Sequence, residues 1–240
     1  MKRFTNLAIG MVVLGREASA DPFLNLDFES VKQPIGLFDP PLNLYAAAMD
    51  AIPGWTASQN NTQIDTVYYN SVTLGSGSIN LFSTFQPRGT FGSQFVMHGN
   101  YAVGLQNGFG LAALSQTGTI PTGSQSMLFD CMGDKFLIGL NGSLAPVIYL
   151  GQSTSASGVK FDTFGVNVSS LAGRDVELIF SSSPENAGVI FDNIRFSHDP
   201  AVPEPSTYAL FGLGAATLFW SNRRLIHRSQ SPRFASAIRT

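Results

Sequence analysis

Between residues 21 and 202 apolar and polar positions alternate in short runs, each cut off by turn-forming residues. Leu24, Leu26 and Phe28 alternate with Asn25, Asp27 and Glu29, which predicts a first strand. The stretches 64–69, 101–105, 126–131, 136–140, 146–150, 161–168, 176–180 and 189–196 are of the same kind. A period of two belongs to a strand with one buried face. Asn141-Gly142 and Ala172-Gly173 are turn signals between such runs. No helical period extends over any length; only 42–51 suits a helical turn or two on a long loop. Many short strands at this spacing predict an all-β protein, an antiparallel sandwich or barrel.

The pattern changes at the C-terminus. Residues 205–222 form an uncharged run of eighteen, apolar or small on every side, so no polar face is left for a core helix. As a helix this run reaches roughly 27 Å, against ~30 Å of bilayer hydrocarbon. Tyr208 and Trp220 bracket it, and Arg223, Arg224, Arg228, Arg233 and Arg239 follow, with no acidic residue after Glu204. By the positive-inside rule this tail stays cytoplasmic and the preceding chain is outside. At the other end Met1-Lys2-Arg3, an apolar stretch over 7–14 and Ala18-Ser19-Ala20 have the order of a signal peptide with its cleavage site. The expected organisation is a signal peptide (1–20), a β-sandwich (21–198), a Pro-rich linker with a sorting motif (199–205), a transmembrane helix (206–222) and a basic cytoplasmic tail (223–240).

Separating these parts alters the charge picture. The chain's net charge of −2 averages unlike pieces, because residues 21–202 hold six basic and fourteen acidic residues, a net −8. Such a body is a poor partner for nucleic acid, whose phosphates need Lys and Arg. Cys131 is the only cysteine, so no internal disulfide forms, and a lone thiol outside the cytoplasm is expected buried and inert. Stability must come from the core or from a bound metal.

Val202-Pro203-Glu204-Pro205, the short apolar run and Arg223-Arg224, in that order, resemble the PEP-CTERM sorting signal. The resemblance implies an exported bacterial protein delivered to a membrane peptidase, exosortase, that removes the tail. The sixteen residues after Arg224 exceed the usual few. A second resemblance covers most of the body. Asn25-Leu-Asp-Phe-Glu29, Pro53-Gly-Trp55, the stretches 98–105 and 171–180, and Phe191-Asp-Asn-Ile-Arg-Phe196 resemble, in this order, the galactose-binding-like jelly-roll carbohydrate-binding modules. That implies a jelly-roll β-sandwich. It also implies a structural calcium shared by the glutamate of the first strand and the aspartate of the last, here Glu29 and Asp192.

The residues themselves bear on both points. Strand alternation places Ile190, Asp192, Ile194 and Phe196 on one face, so a carboxylate interrupts an apolar row. A buried carboxylate needs a partner or must neutralise. Calcium takes six to eight oxygens, so backbone carbonyls and Asp27 would have to join Glu29 and Asp192. Otherwise Asp192 caps a turn or pairs with Arg174 or Arg195. Sugar binding needs an exposed aromatic platform beside hydrogen-bonding groups. Tyr45, Trp55, Tyr68 and Tyr69 are the candidates, with Gln59, Asn60 and Asn61 nearby. Trp55, after Pro53-Gly54 at a strand start, reads more readily as a core plug, and Tyr68 and Tyr69 point to opposite faces, so one of them is core. No G-x-S-x-G, H-E-x-x-H, P-loop or usable cysteine–histidine pattern occurs. The expectation is an exported, non-enzymatic surface or matrix protein with exopolysaccharide as its ligand class. The alternative is a secreted carbohydrate-active hydrolase, whose carboxylate pair no spacing singles out.

Overall fold

Asparagine sets several corners of this fold. Asn60 and Asn61 have φ of 51° and 60°, and Asn141-Gly142 has 49° and 74°. Two consecutive left-handed residues match the right-handed twist of a hairpin, which is why Asn and Gly stand there. The computed structural model describes residues 21–33, 37–38, 44–71, 78–85, 92–108, 110–184 and 188–202. The chain divides into two compact units, Met1–Ala201 and Val202–Thr240. The expected signal peptide lies outside the described residues, as do the apolar run over 206–222 and the basic tail. Among the described residues no helix is long and apolar enough to cross a membrane.

In chain order the elements begin with β1 (Leu37–Phe38), β2 (Leu44–Ala47), a single helical turn α1 (Ala48–Ala51), β3 (Thr56–Gln59), β4 (Thr62–Gln63) and β5 (Thr66–Tyr69). They continue with β6 (Ser78–Ser83), β7 (Tyr101–Gln106), β8 (Ala112–Thr119), β9 (Ser126–Met132) and β10 (Phe136–Leu140). The last are β11 (Ser143–Leu144), β12 (Val147–Thr154), β13 (Lys160–Asn167), β14 (Asp175–Ser182) and β15 (Val189–Ser197). They form two sheets, in the orders β1-β2-β5-β6-β7-β15-β9-β13-β12 and β11-β10-β14-β8-β3-β4. From β7 to β10 successive strands switch sheets, as the jelly-roll β-sandwich requires. Among the described residues the strand pairs are antiparallel except β5 with β6, where Tyr68 pairs with Asn80 in parallel.

Phenylalanines join the two layers. Phe129 on β9 and Phe191 on β15 meet Phe180 on β14 edge-on, at ring-centroid distances of 5.2 and 4.9 Å. All three are fully buried, and each such pair adds about 0.5–1.5 kcal/mol beyond the area it hides. Cys131 is buried among them, its thiol donating to the Gly133 carbonyl at 3.2 Å. Burial, with Asp162, Asp134 and Asp130 adding to it, pushes this thiol far above its ordinary range.

Three expectations need correction. Residues 24–28 are not a strand: Asn25 and Phe28 take φ of 50° and 58°, and the chain turns over 26–28. The side chain of Asn25 causes this, accepting from the Ser30 N–H at 2.8 Å and donating to the Pro53 carbonyl at 3.2 Å. Within the stretch 42–51 the expected helical turn is present only over Ala48–Ala51, and Leu44–Ala47 before it is strand and not loop. On β15 a bulge falls between Asp192 and Arg195, with Asn193 at φ 51°. The extra residue changes the parity of the strand. Phe191 and Ile194 thus both reach the main core, whereas Ile190 packs in a separate cluster with Phe82, Val96 and Ala102. Asp192 is not in one row with Ile194 and Phe196.

Candidate functional site

Three acidic side chains meet around the turn that precedes β7. Glu29 Oε1 accepts the backbone N–H groups of Asn100 and Tyr101 at 2.7 and 2.9 Å, and its Oε2 accepts the Asn100 side-chain amide at 3.3 Å. Gly99 makes this approach possible. Its φ is +57°, and a Cβ there would stand 2.3 Å from Glu29 Oε1, inside any permitted contact. One residue earlier, the His98 N–H donates to Asp192 Oδ2 at 2.8 Å, and Asp192 Oδ1 accepts from the Asn193 N–H at 2.7 Å. Glu29 and Asp192 are thereby brought to one turn, from opposite ends of the body.

Asp130 is the third. It is 2 % exposed and lies opposite Asp192 in the β9–β15 register. Its Oδ1 accepts from Thr163 Oγ1 at 2.7 Å; its Oδ2 accepts from Asn193 Nδ2 at 2.8 Å and Arg195 Nη1 at 3.2 Å. His98 Nε2 also stands 2.8 Å from Asp130 Oδ2, at ion-pair distance but off the line of a good hydrogen bond. The guanidinium of Arg195 therefore serves Asp130 and not Asp192.

That division has an electrostatic consequence. Asp192 is completely buried, with two backbone N–H donors and, among the described residues, no cationic side chain in contact with it. Burial, only partly offset by those donors and reinforced by the charges of Glu29 and Asp130, pushes its carboxyl up to about 8. The group is protonated at neutral pH unless another cation takes the proton's place. A divalent ion suits this need, since it supplies the missing charge and accepts the remaining carboxylate lone pairs. Among the described residues no three His, Cys, Asp or Glu side chains are grouped to hold a metal, so backbone carbonyls must complete any shell.

The aromatic candidates separate. Trp55 is 6 % exposed, packed on Phe28 at 5.7 Å and Phe180 at 6.1 Å, with Nε1 donating to the Asn25 carbonyl at 3.0 Å. It plugs the core, and the indole is no platform. Tyr69 is 3 % exposed and its hydroxyl donates to the Phe85 carbonyl at 3.2 Å, which also removes it as a surface group. Tyr45 is half-buried, and its ring pairs with Tyr68 directly across β2 and β5 at 4.5 Å. Of the sorting residues only Val202 is described, and it is exposed; Pro203, Glu204, Pro205, Arg223 and Arg224 lie outside the described residues. Asp130, His98, Asn100 and Asn193 were not singled out in the sequence. A charge inside the apolar run 126–131 was the available signal for Asp130.

Residues 201–224 match the family model of the PEP-CTERM protein-sorting motif. No curated protein matches the chain. Among solved structures, a carbohydrate-binding module, TmCBM61 in complex with β-1,4-galactotriose, is 15 % identical, with 75 % of this chain and 100 % of that chain covered and a TM-score of 0.38. The enzymatically active domain of bacteriophage CBA120 tailspike protein 4 is 12 % identical, with a TM-score of 0.32 over 62 % of this chain and 19 % of that one. At these TM-scores neither neighbour carries weight for fold or chemistry. The motif does: it implies an exported protein.

Proposed function

We propose that this is a non-enzymatic protein of the bacterial cell surface or extracellular matrix, delivered by its PEP-CTERM signal and binding exopolysaccharide through a calcium-stabilised sandwich. The observation that carries this reading is the sorting motif over 201–224, at the border of the second compact unit. An exosortase-type peptidase is the processing partner, acting after 206–222 has spanned the inner membrane with Arg223-Arg224 as its cytoplasmic stop. Glu29 and Asp192 hold the calcium, with backbone oxygens completing the shell, and the ion supplies the charge that buried Asp192 lacks. The carboxylates of Glu29, Asp130 and Asp192 are each fixed by several donors, an arrangement suited to structure and not to the proton traffic of a hydrolase.

A fractionation blot in the native host, with a tag inside the body, tests the sorting role. Wild type should appear cut at both ends and outside the cytoplasm. Replacing Pro203-Glu204-Pro205 with alanines should leave a longer species in the inner membrane. Uncut wild-type protein in the cytoplasm would overturn the reading.

A further inference from the structure

The outer face of the large sheet is built unlike a solvated surface. Register places Tyr45 opposite Tyr68, Tyr68 opposite Asn80, Asn80 opposite Gly104, and Gly104 opposite Ile190. Cross-strand partners share a face, so these five form one row across β2, β5, β6, β7 and β15. Beside the row lies a cavity of about 310 Å³, lined by Asn80, Phe82, Phe95, Gly104 and Ile190 among others, with no charged side chain among the described residues of its wall. Gly104 has a clear reason to be glycine: a Cβ there would stand 2.5 Å from the Phe82 ring, which lies across that strand. Phe82 and Phe95 pair at 4.6 Å and give the cavity an aromatic wall.

Asn80 does not belong in such a place without a partner. It is 2 % exposed, its Nδ2 donates to Ser78 Oγ at 3.1 Å, and its Oδ1 is buried with nothing to accept from. Turning the amide over would satisfy Oδ1 and strand the NH₂ instead, so in either orientation one polar end lacks a protein partner. A buried polar atom left so costs about 1–3 kcal/mol. Leucine has similar volume and would avoid that cost.

We propose that this face binds a neutral saccharide, with the Tyr45–Tyr68 pair as stacking platform and the Asn80 amide as hydrogen-bond partner of a sugar hydroxyl. The inference rests on the exopolysaccharide reading above and places its site. Three features select the ligand class. The described wall lacks charge, so an ionic ligand would be desolvated there without compensation. Tyrosine and phenylalanine rings match the C–H face of a pyranose. A hydroxyl both donates and accepts, and so satisfies Asn80 in either orientation.

The test is calorimetric titration of the full chain, in a non-glycosidic detergent, with β-linked gluco-, galacto- and manno-configured tetrasaccharides. Asn80→Leu should keep or raise the melting temperature while weakening binding at least tenfold, the 1.4 kcal/mol of about one hydrogen bond. Ile190→Trp, which fills the cavity from the opposite strand, should weaken it as much and guards against a folding defect in the first variant. Wild type and both variants binding equally would overturn this site and leave carbohydrate binding elsewhere on the protein. No binding by wild type to any tetrasaccharide would overturn the ligand class together with the reading it rests on.

Discussion

Raising the pH from 5 to 8 in chelator should make this protein easier to unfold, and the cause should be one side chain. Asp192 binds its proton up to about pH 8 in the native state, against an ordinary carboxylate value of 3.8. Between these values the native state carries a proton that the unfolded chain has released, so each rise in pH favours unfolding. The stabilisation is full below about pH 4 and is gone once the pH passes 8. Its slope is about 1.4 kcal/mol per pH unit, so three units remove roughly 4 kcal/mol. That is a large share of the ~5–15 kcal/mol that holds a domain folded. Urea unfolding at pH 5, 6, 7 and 8, with and without millimolar calcium, measures it. Calcium should restore stability at pH 8, because an ion that binds only the native state at a hundred times its Kd adds about 2.7 kcal/mol. Asp192→Asn should be weaker at pH 5 by about 1–3 kcal/mol, one backbone N–H having lost its acceptor. Its profile should also be flatter by the slope above. The variant changes only the side chain of residue 192, so the comparison is confined to that carboxyl. Parallel profiles for wild type and Asp192→Asn in chelator would refute the reasoning.

Two further outcomes are expected. Trp55→Ala should cost about 3–5 kcal/mol in urea unfolding while saccharide affinity stays unchanged, since the indole is a core plug; loss of affinity without loss of stability would restore Trp55 as a ligand group. Gly99→Ala should lower stability by about 1–3 kcal/mol, because a left-handed position and the Glu29 carboxylate both reject a methyl group, and the melting curve should lose its response to calcium.

The strands legible in the sequence are those whose apolar residues are large and regularly spaced. β9, β10, β13, β14 and β15 lie close to where the alternation placed them. β8 went unseen because Ala112-Ala-Leu-Ser-Gln-Thr-Gly-Thr119 fills its buried positions largely with small or polar residues. β6 was missed for a related reason: Ser78, Asn80 and Ser83 are buried among its apolar residues, so contrast between the faces vanishes. The resemblance names Glu29 and Asp192 together, and both accept backbone N–H groups of the same turn. The geometry there was not legible. The left-handed Asn25 and Phe28 and the bulge at Asn193 are single-residue events that no two-residue period reports. Tyr45 and Asn80 are distant in sequence, and only the pairing of β2, β5 and β6 puts them in one row.

The place of β15 has a consequence for the order of assembly. It is the last of the described strands to be synthesised, yet it sits inside the large sheet, between β7 and β9. A chain that emerges N-terminus first presents β7 and β9 as two open edges until residues 189–197 arrive. Unpaired edges invite pairing with other chains. The gap also cannot close by local hairpins, because β7 is separated from β15 by more than eighty residues, and such long-range closure is slow. The residues that close the sheet end only a few positions before the sorting motif begins at 201. Folding of the sandwich and arrival of its sorting signal are thus nearly simultaneous events. A chain arrested short of residue 189 would lack both, and would be an aggregation-prone half-sheet with no address.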